Sequence, residues 1–293
     1  MDFSVFCDAH VHLSHCEIAN FSSSERYFSV SSCHSKEDFD LLGRYGKAAF
    51  QPSSPSGFSP FANAHSSPLC GSDFGATIPT AFASYGIHPQ SPSLKDNNFI
   101  KEELSFIENL LIEKKIIAIG ECGFDFFTPE FKSTAQEQEI VFNEQLFLAQ
   151  KYNVPLVLHL RKSIEKIFSY SMELKKLPAV IFHSFPGTLL EARSLMNHGI
   201  KAYFSFGKPI LNGKKSAIDC VKNLPEKNLL FETDAPYQTL KGEAFTRPEE
   251  IKIIYKKACE IRGETFDELT ACVFENFSSA YGLFLSESPS VEK

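Results

Sequence analysis

The sequence predicts a (β/α)₈ barrel, and three observations carry that expectation. Eight short, nearly continuous apolar segments recur along the chain, amphipathic helical stretches separate them, and imidazoles and carboxylates fall repeatedly at the segments' C-terminal ends. Near-continuous apolar strands suit a parallel sheet covered on its outer face. Strand–helix alternation over 293 residues fits one such barrel. A doubly wound open sheet is the runner-up. It needs a phosphate-binding glycine loop after the first strand, where this chain carries histidines instead.

The strands are expected at 4–8, 27–31, 81–87, 116–120, 156–159, 179–183, 202–206 and 229–232. A helix over 36–45 opens on Ser35 as N-cap and stops at Gly46. The helix over 99–113 places Leu104, Ile107, Leu111 and Ile112 on one face, and that over 137–152 does so with Ile140, Phe142, Leu146 and Ala149. Further helices are expected at 163–174, 189–197, 216–221 and 248–262, and a last one at 265–281 opens on a capping box of Thr265 and Glu268. The Ser/Pro/Gly-rich stretch 51–79 has no period and reads as a long surface loop on the bottom side of the barrel. The expected organisation is a single domain over 1–285 carrying that insertion, then a frayed tail over 286–293.

Composition narrows the class. At 43% hydrophobic and 22% charged the chain is an ordinary globular protein, and no apolar run approaches the ~18 residues of a membrane span. The N-terminus lacks the basic region of a secretory signal. Eight cysteines without a CxxC pair read as reduced thiols, so a cytoplasmic location is expected. Twenty-nine basic against 36 acidic residues leave a formal charge of −7, which argues against a general electrostatic grip on nucleic acid. Bound divalent cations can still supply positive charge locally.

The chemistry follows from position. The C-terminal end of barrel strands is the functional face. Strand one ends in Asp8-Ala9-His10-Val11-His12, strand four in Gly120-Glu121, strand five in His159, strand six in His183 and strand eight in Glu232-Thr233-Asp234. Residues two apart in a strand share a side, so His10 and His12 both face the barrel interior and make half of a divalent metal site. Glu121 can bridge through its two oxygens, His159 and His183 can complete a second site, and Asp234 closes the ring beside strand one.

At this point the resemblance is clear. Phe6-Cys7-Asp8-Ala9-His10-Val11-His12-Leu13, Gly86-Ile87-His88-Pro89, Gly120-Glu121-Cys122-Gly123-Phe124-Asp125 and Leu158-His159-Leu160-Arg161 resemble signature blocks of the TatD family of metal-dependent deoxyribonucleases. So do Phe182-His183-Ser184-Phe185-Pro186-Gly187, Leu230-Phe231-Glu232-Thr233-Asp234-Ala235-Pro236-Tyr237, and the segment from Glu275-Asn276-Phe277 to Leu283-Phe284. That family belongs to the amidohydrolase superfamily of (β/α)₈ barrels. The resemblance implies two divalent ions (Mg²⁺, Mn²⁺ or Zn²⁺): one held by His10, His12 and Asp234, the other by His159 and His183, with Glu121 bridging. It implies a DNA or nucleotide-type phosphodiester substrate, and neither a membrane nor an obligate protein partner is called for. The expected reaction is attack on phosphorus by a metal-activated hydroxide, with Asp234 as ligand and general base.

Around that centre several roles stay open. Asp8 and Glu232 either orient histidine ligands or are buried carboxylates paired with backbone donors. Arg161 and Lys208 either neutralise substrate phosphates or are solvated charges, and His88 either donates to a phosphate or stabilises its own turn. Phe124, Phe126, Phe127 and Tyr237 lie on the rim where unpaired bases would stack. The chain departs from the family pattern over 14–80, at Lys162, where the family usually has an acid, and at Ser184 and Pro186. These departures bear on substrate choice. The alternative readings are a small-molecule amide, lactone or phosphoester hydrolase on the same scaffold, or a non-catalytic metal-binding scaffold.

Overall fold

A computed structural model describes residues 4–17, 21–22, 25–45, 76–77 and 80–283. Eight parallel strands run in sequence order around a nearly closed barrel: β1 (Ser4–Val11), β2 (Glu25–Cys33), β3 (Thr80–Tyr85), β4 (Ala118–Asp125), β5 (Leu156–Arg161), β6 (Val180–Phe182), β7 (Ala202–Phe206) and β8 (Leu229–Phe231). All eight expected strands form. Helices α1 (Lys36–Leu41), α2 (Asn97–Ile112), α3 (Ala135–Tyr152), α4 (Leu189–Asn197), α5 (Lys215–Asn223), α6 (Ile251–Arg262) and α7 (Phe266–Tyr281) lie between and after them. Between β1 and β2 the described residues hold one helical turn, Leu13–His15.

The caps read from sequence are in place. The Ser35 hydroxyl accepts from the Asp38 N–H at the start of α1, and Thr265 with Glu268 closes a capping box on α7. The expected 163–174 helix instead breaks into Ile164–Phe168 and Ser171–Leu174. Tyr170 turns inward at the break, against Phe142 and Phe124, and its hydroxyl donates to Glu139 at 3.0 Å. Two assigned core positions point to solvent, Ile112 at 60% and Ile140 at 56% exposure. On α2 the inward place goes to a polar residue, because Glu103 is buried and accepts the Tyr85 hydroxyl. Periodicity of apolar residues alone does not register such a substitution. The stop at Gly46, most of the 51–79 insertion and the 286–293 tail lie outside the described residues; Ala76–Thr77 pairs antiparallel with Phe21–Ser22.

The fourth strand runs past its expected end. Glycine reads as a terminator, so the apolar run appeared to stop at Gly120, yet β4 continues to Asp125. The ladder with β5 shifts register between Ile119 and Cys122, then resumes from Cys122 opposite Leu158 to Asp125 opposite Arg161. A Cβ at Gly120 would meet the Val157 carbonyl oxygen at 2.5 Å, and one at Gly123 would meet that of His159 at 2.3 Å. Both glycines adopt φ values, +141° and +136°, that side chains rarely take. They mark close backbone approach. The irregularity they permit falls at Glu121.

Backbone pairing does not close the barrel alone. Between β8 and β1, Asp234 N–H donates to the His10 carbonyl at 3.0 Å and His12 N–H to the Ala235 carbonyl at 2.8 Å. The buried Asp8 carboxylate joins the same seam, accepting the Thr233 N–H at 2.9 Å, the Thr233 hydroxyl at 2.6 Å and the Tyr27 hydroxyl at 2.8 Å. The final helices add two ties to β1: the Tyr255 hydroxyl donates to the Cys7 carbonyl and that of Tyr281 to Ala9.

Candidate metal centre

The six residues expected to hold metal converge at the C-terminal mouth of the barrel, all of them buried. Their focus is Glu121. Its Oε1 lies 2.5 Å from His159 Nδ1, 3.3 Å from His88 Nε2 and 3.4 Å from His183 Nε2. Its Oε2 lies 3.3 Å from His10 Nε2, 3.5 Å from His34 Nε2 and 3.8 Å from His12 Nε2. Asp234 Oδ1 adds a second carboxylate at 3.3 Å from His12 and 3.6 Å from His10. Among the described residues, three overlapping groups bring potential ligand atoms within 4.8 Å of one another: His10 with Glu121 and His183; His10 with His12 and Asp234; His88 with Glu121 and His159.

Charge and burial act against each other here. Burial by itself would raise the Glu121 carboxyl, but His88, His183, His10 and His159 together hold it well below the usual range. His183, disfavoured as a cation by burial, is pulled up to about 10 by Glu232, Glu121 and Asp234. The carboxylates that hold this proton would equally attract a divalent cation in its place.

The outward partner of an imidazole bears on which nitrogen presents a lone pair, and His10 Nδ1 is buried with no hydrogen-bond partner among the described residues. A metal-binding histidine donates its other N–H to an acceptor and so presents a lone pair. His159 does this, with Nε2 at 3.1 Å from Asp125 Oδ2, leaving Nδ1 facing Glu121. His183 Nδ1 sits 3.0 Å from Glu232 Oε1, leaving Nε2 facing Glu121. His88 is the reverse: its Nδ1 accepts the Gln90 N–H at 3.1 Å, so in the neutral ring Nε2 carries the proton. Burial lowers the His88 pKa to about 4, which keeps that ring neutral. His88 therefore both stabilises its turn and offers a donor to the site, despite standing within ligand distance.

The open roles of the two further carboxylates separate. Glu232 stands against a histidine, its Oε1 3.0 Å from His183 Nδ1. Asp8 takes the other course, binding the Thr233 N–H and hydroxyl and holding the barrel seam. Its burial lifts its pKa to about 7, against the hydrogen bonds from Thr233 and Tyr27.

A cleft of about 690 Å³ opens above the centre, and Arg161 and His88 are among the residues that line it. Lys208 does not. Its side chain is 1% exposed, and Nζ pairs with Glu243 at 2.5 Å and Glu250 at 2.7 Å, tying the end of β7 to the segment before α6. A lysine just past a strand end looks the same in sequence whether it faces the cleft or a neighbouring loop. Lys208→Met should accordingly lower the urea midpoint of unfolding and leave the KM for substrate unchanged; a raised KM with unchanged stability would restore the phosphate role.

Several cleft residues escaped the sequence reading. His34 follows β2, and the rule applied to the other strand ends would have found it had β2 not been ended at Ser31. Lys214 lines the cleft, and Gln238 Nε2 donates to Asp234 Oδ2 at 3.0 Å. At the rim, His15 lies 2.7 Å from Asp38 and 3.1 Å from the Tyr237 hydroxyl, joining the loops after β1 and β8. Of the four rim aromatics, Phe124 is fully buried and Phe126 partly so, while Phe127 and Tyr237 are about half exposed.

A parallel barrel whose strand ends gather imidazoles and carboxylates around one shared carboxylate defines the class of metal-dependent hydrolases. Within that class the chain belongs to the TatD-related DNase family, whose family model matches residues 7–282. It is 32% identical over 202 residues to the uncharacterized metal-dependent hydrolase YabD of Bacillus subtilis, covering 67% of this chain and 75% of that protein. It is 30% identical over 213 residues to the 3′-5′ ssDNA/RNA exonuclease TatD of Escherichia coli K12, covering 70% and 79%. The crystal structure of YjjV, a TatD homolog from E. coli K12, shares the fold with a TM-score of 0.71 at 22% identity, over 94% of this chain and 97% of that one.

Proposed function

We propose that the chain is a two-cation phosphodiesterase that removes nucleotides from the end of single-stranded DNA. The observation that carries this reading is Glu121, whose two oxygens each face three imidazole nitrogens within 4 Å. That donor set suits Mg²⁺, Mn²⁺ or Zn²⁺ in mixed nitrogen and oxygen coordination. His10, His12 and Asp234 would hold one cation and His159 with His183 the other, with Glu121 shared. The outward hydrogen bond of His159 to Asp125 and the approach of His183 to Glu232 fit this division. Bound there, the cations supply Lewis-acid polarisation of a phosphoryl oxygen and a water acidic enough to ionise near neutral pH. Naming of the E. coli relative as a 3′-5′ ssDNA/RNA exonuclease supports the substrate class.

The chain's own groups do the rest. Asp234 is the general base: Gln238 holds its Oδ2, and the residue sits at a left-handed φ of +54°. His88 presents its Nε2–H to a phosphoryl oxygen, and Arg161 offsets phosphate charge across the same cleft. The seven described cysteines are free thiols, and no helix among the described residues is long and apolar enough to cross a membrane. A single domain over 1–285, working in the cytoplasm, completes the proposal.

The test is cleavage of a 3′-end-labelled single-stranded oligonucleotide. Mononucleotide release should stop on chelation and return when Mg²⁺, Mn²⁺ or Zn²⁺ is restored. Folded, metal-loaded protein that leaves the oligonucleotide intact would sink the nuclease reading and leave the metal barrel standing.

A further inference from the structure

We infer that Phe127, Arg161 and Lys162 form a nucleotide subsite on one lip of the cleft, where an unpaired DNA base stacks on the Phe127 ring and its phosphate meets the two cations. This rests on the nuclease reading and adds which wall grips the strand, and why the strand must be single.

The chain has 29 phenylalanines, and few of those described leave their rings as open as Phe127, at 48% exposure. Covering such a ring would be favourable, and its position at the cleft mouth makes a bound ligand able to do so. The ring is also held in place. Phe127 N–H donates to Asp125 Oδ1 at 2.8 Å, and Asp125 Oδ2 lies 3.6 Å from the Arg161 guanidinium. Arg161 has its guanidinium carbon 4.1 Å from the Phe127 ring centre, and the Lys162 ammonium lies 4.6 Å from it. All three residues line the cleft that contains Glu121 and His159.

A ring that carries two cations over it and still leaves about half its surface open matches one ligand chemistry closely: a flat aromatic joined to an anion. A nucleotide supplies both, with the base stacking and the phosphate pairing. Duplex DNA keeps its bases stacked on one another and cannot offer a free face. Lys162 stands directly after Arg161, where β5 ends. In a chain with a formal charge of −7, a cation there turns this lip locally attractive to a polyanion. Lys162 further adopts a left-handed φ of +52° where β5 ends, a conformation an ordinary side chain takes only under constraint.

The inference is tested by steady-state kinetics on the metal-loaded protein. Phe127→Ala should raise the KM for a single-stranded oligonucleotide by about tenfold or more and leave kcat unchanged. Lys162→Gln should raise it less, and lower the salt dependence of kcat/KM by about one phosphate contact. Oligonucleotides with one abasic position, scanned along the strand, should show a single position where wild type loses the same factor and Phe127→Ala loses nothing more. The thermal stabilisation that saturating divalent cation gives should be equal in wild type and Phe127→Ala, showing an intact fold and centre. An unchanged oligonucleotide KM in Phe127→Ala, or no abasic position coupled to it, would overturn the subsite while the nuclease reading stood. Folded, metal-loaded wild type that leaves every oligonucleotide intact would defeat the nuclease reading, and the subsite with it.

Discussion

Glu121→Gln should reduce oligonucleotide cleavage by about 10³-fold, the largest effect expected of any single substitution in the site. The amide is nearly isosteric, so the barrel should fold. What it removes is the negative charge that six imidazoles face and that two cations would share. A second readout separates lost metal binding from lost chemistry. Saturating divalent cation should stabilise the wild-type fold, by about 2.7 kcal/mol at a hundred times Kd, and this gain should largely vanish in the variant. Thermal melts with and without cation measure it directly. A variant that still cleaves within about tenfold of wild type would show that Glu121 is not the focus of the centre.

The second large effect concerns stability. Asp8→Ala should destabilise the fold by about 3 kcal/mol or more, a large share of the ~5–15 kcal/mol that holds a typical domain together. Asp8 is fully buried and accepts three short hydrogen bonds at the β8–β1 seam. Removing it strands the Thr233 N–H, the Thr233 hydroxyl and the Tyr27 hydroxyl, each a buried donor that costs about 1–3 kcal/mol unpaired. Asp8→Asn should recover part of the loss, since one oxygen can still accept while its NH₂ opposes a donor. Urea unfolding of the two variants beside wild type gives the comparison. If Asp8→Ala unfolds within about 1 kcal/mol of wild type, the seam is closed by its backbone bonds and packing instead.

Much of this was legible from the residues. Eight strands, their order and the convergence of His10, His12, Glu121, His159, His183 and Asp234 follow from apolar patterning and from asking what stands at each strand's end. Failures came where one residue type has two physical uses. Gly120 reads as the end of the fourth strand and acts, with Gly123, as a point of close approach. Lys208 reads as a free cation and is buried between two glutamates. Glu103 occupies a core place that apolar periodicity had given to other residues of α2.

Periodicity is a local property, so the sequence by itself determined the barrel, its functional face and the chemical character of the centre. Each of these depends only on which residues recur at strand ends. Tertiary structure decided what depends on partners distant in the chain. It made Asp8 the seam and Glu232 the brace of His183, because Thr233 lies 225 residues from Asp8. It set His88 as a donor through the Gln90 N–H, brought His34 to the same carboxylate, and left Phe127 half exposed under two cations while burying Phe124. Hydrogen-bond direction and exposure are set by neighbours in space, and no spacing along the chain encodes them.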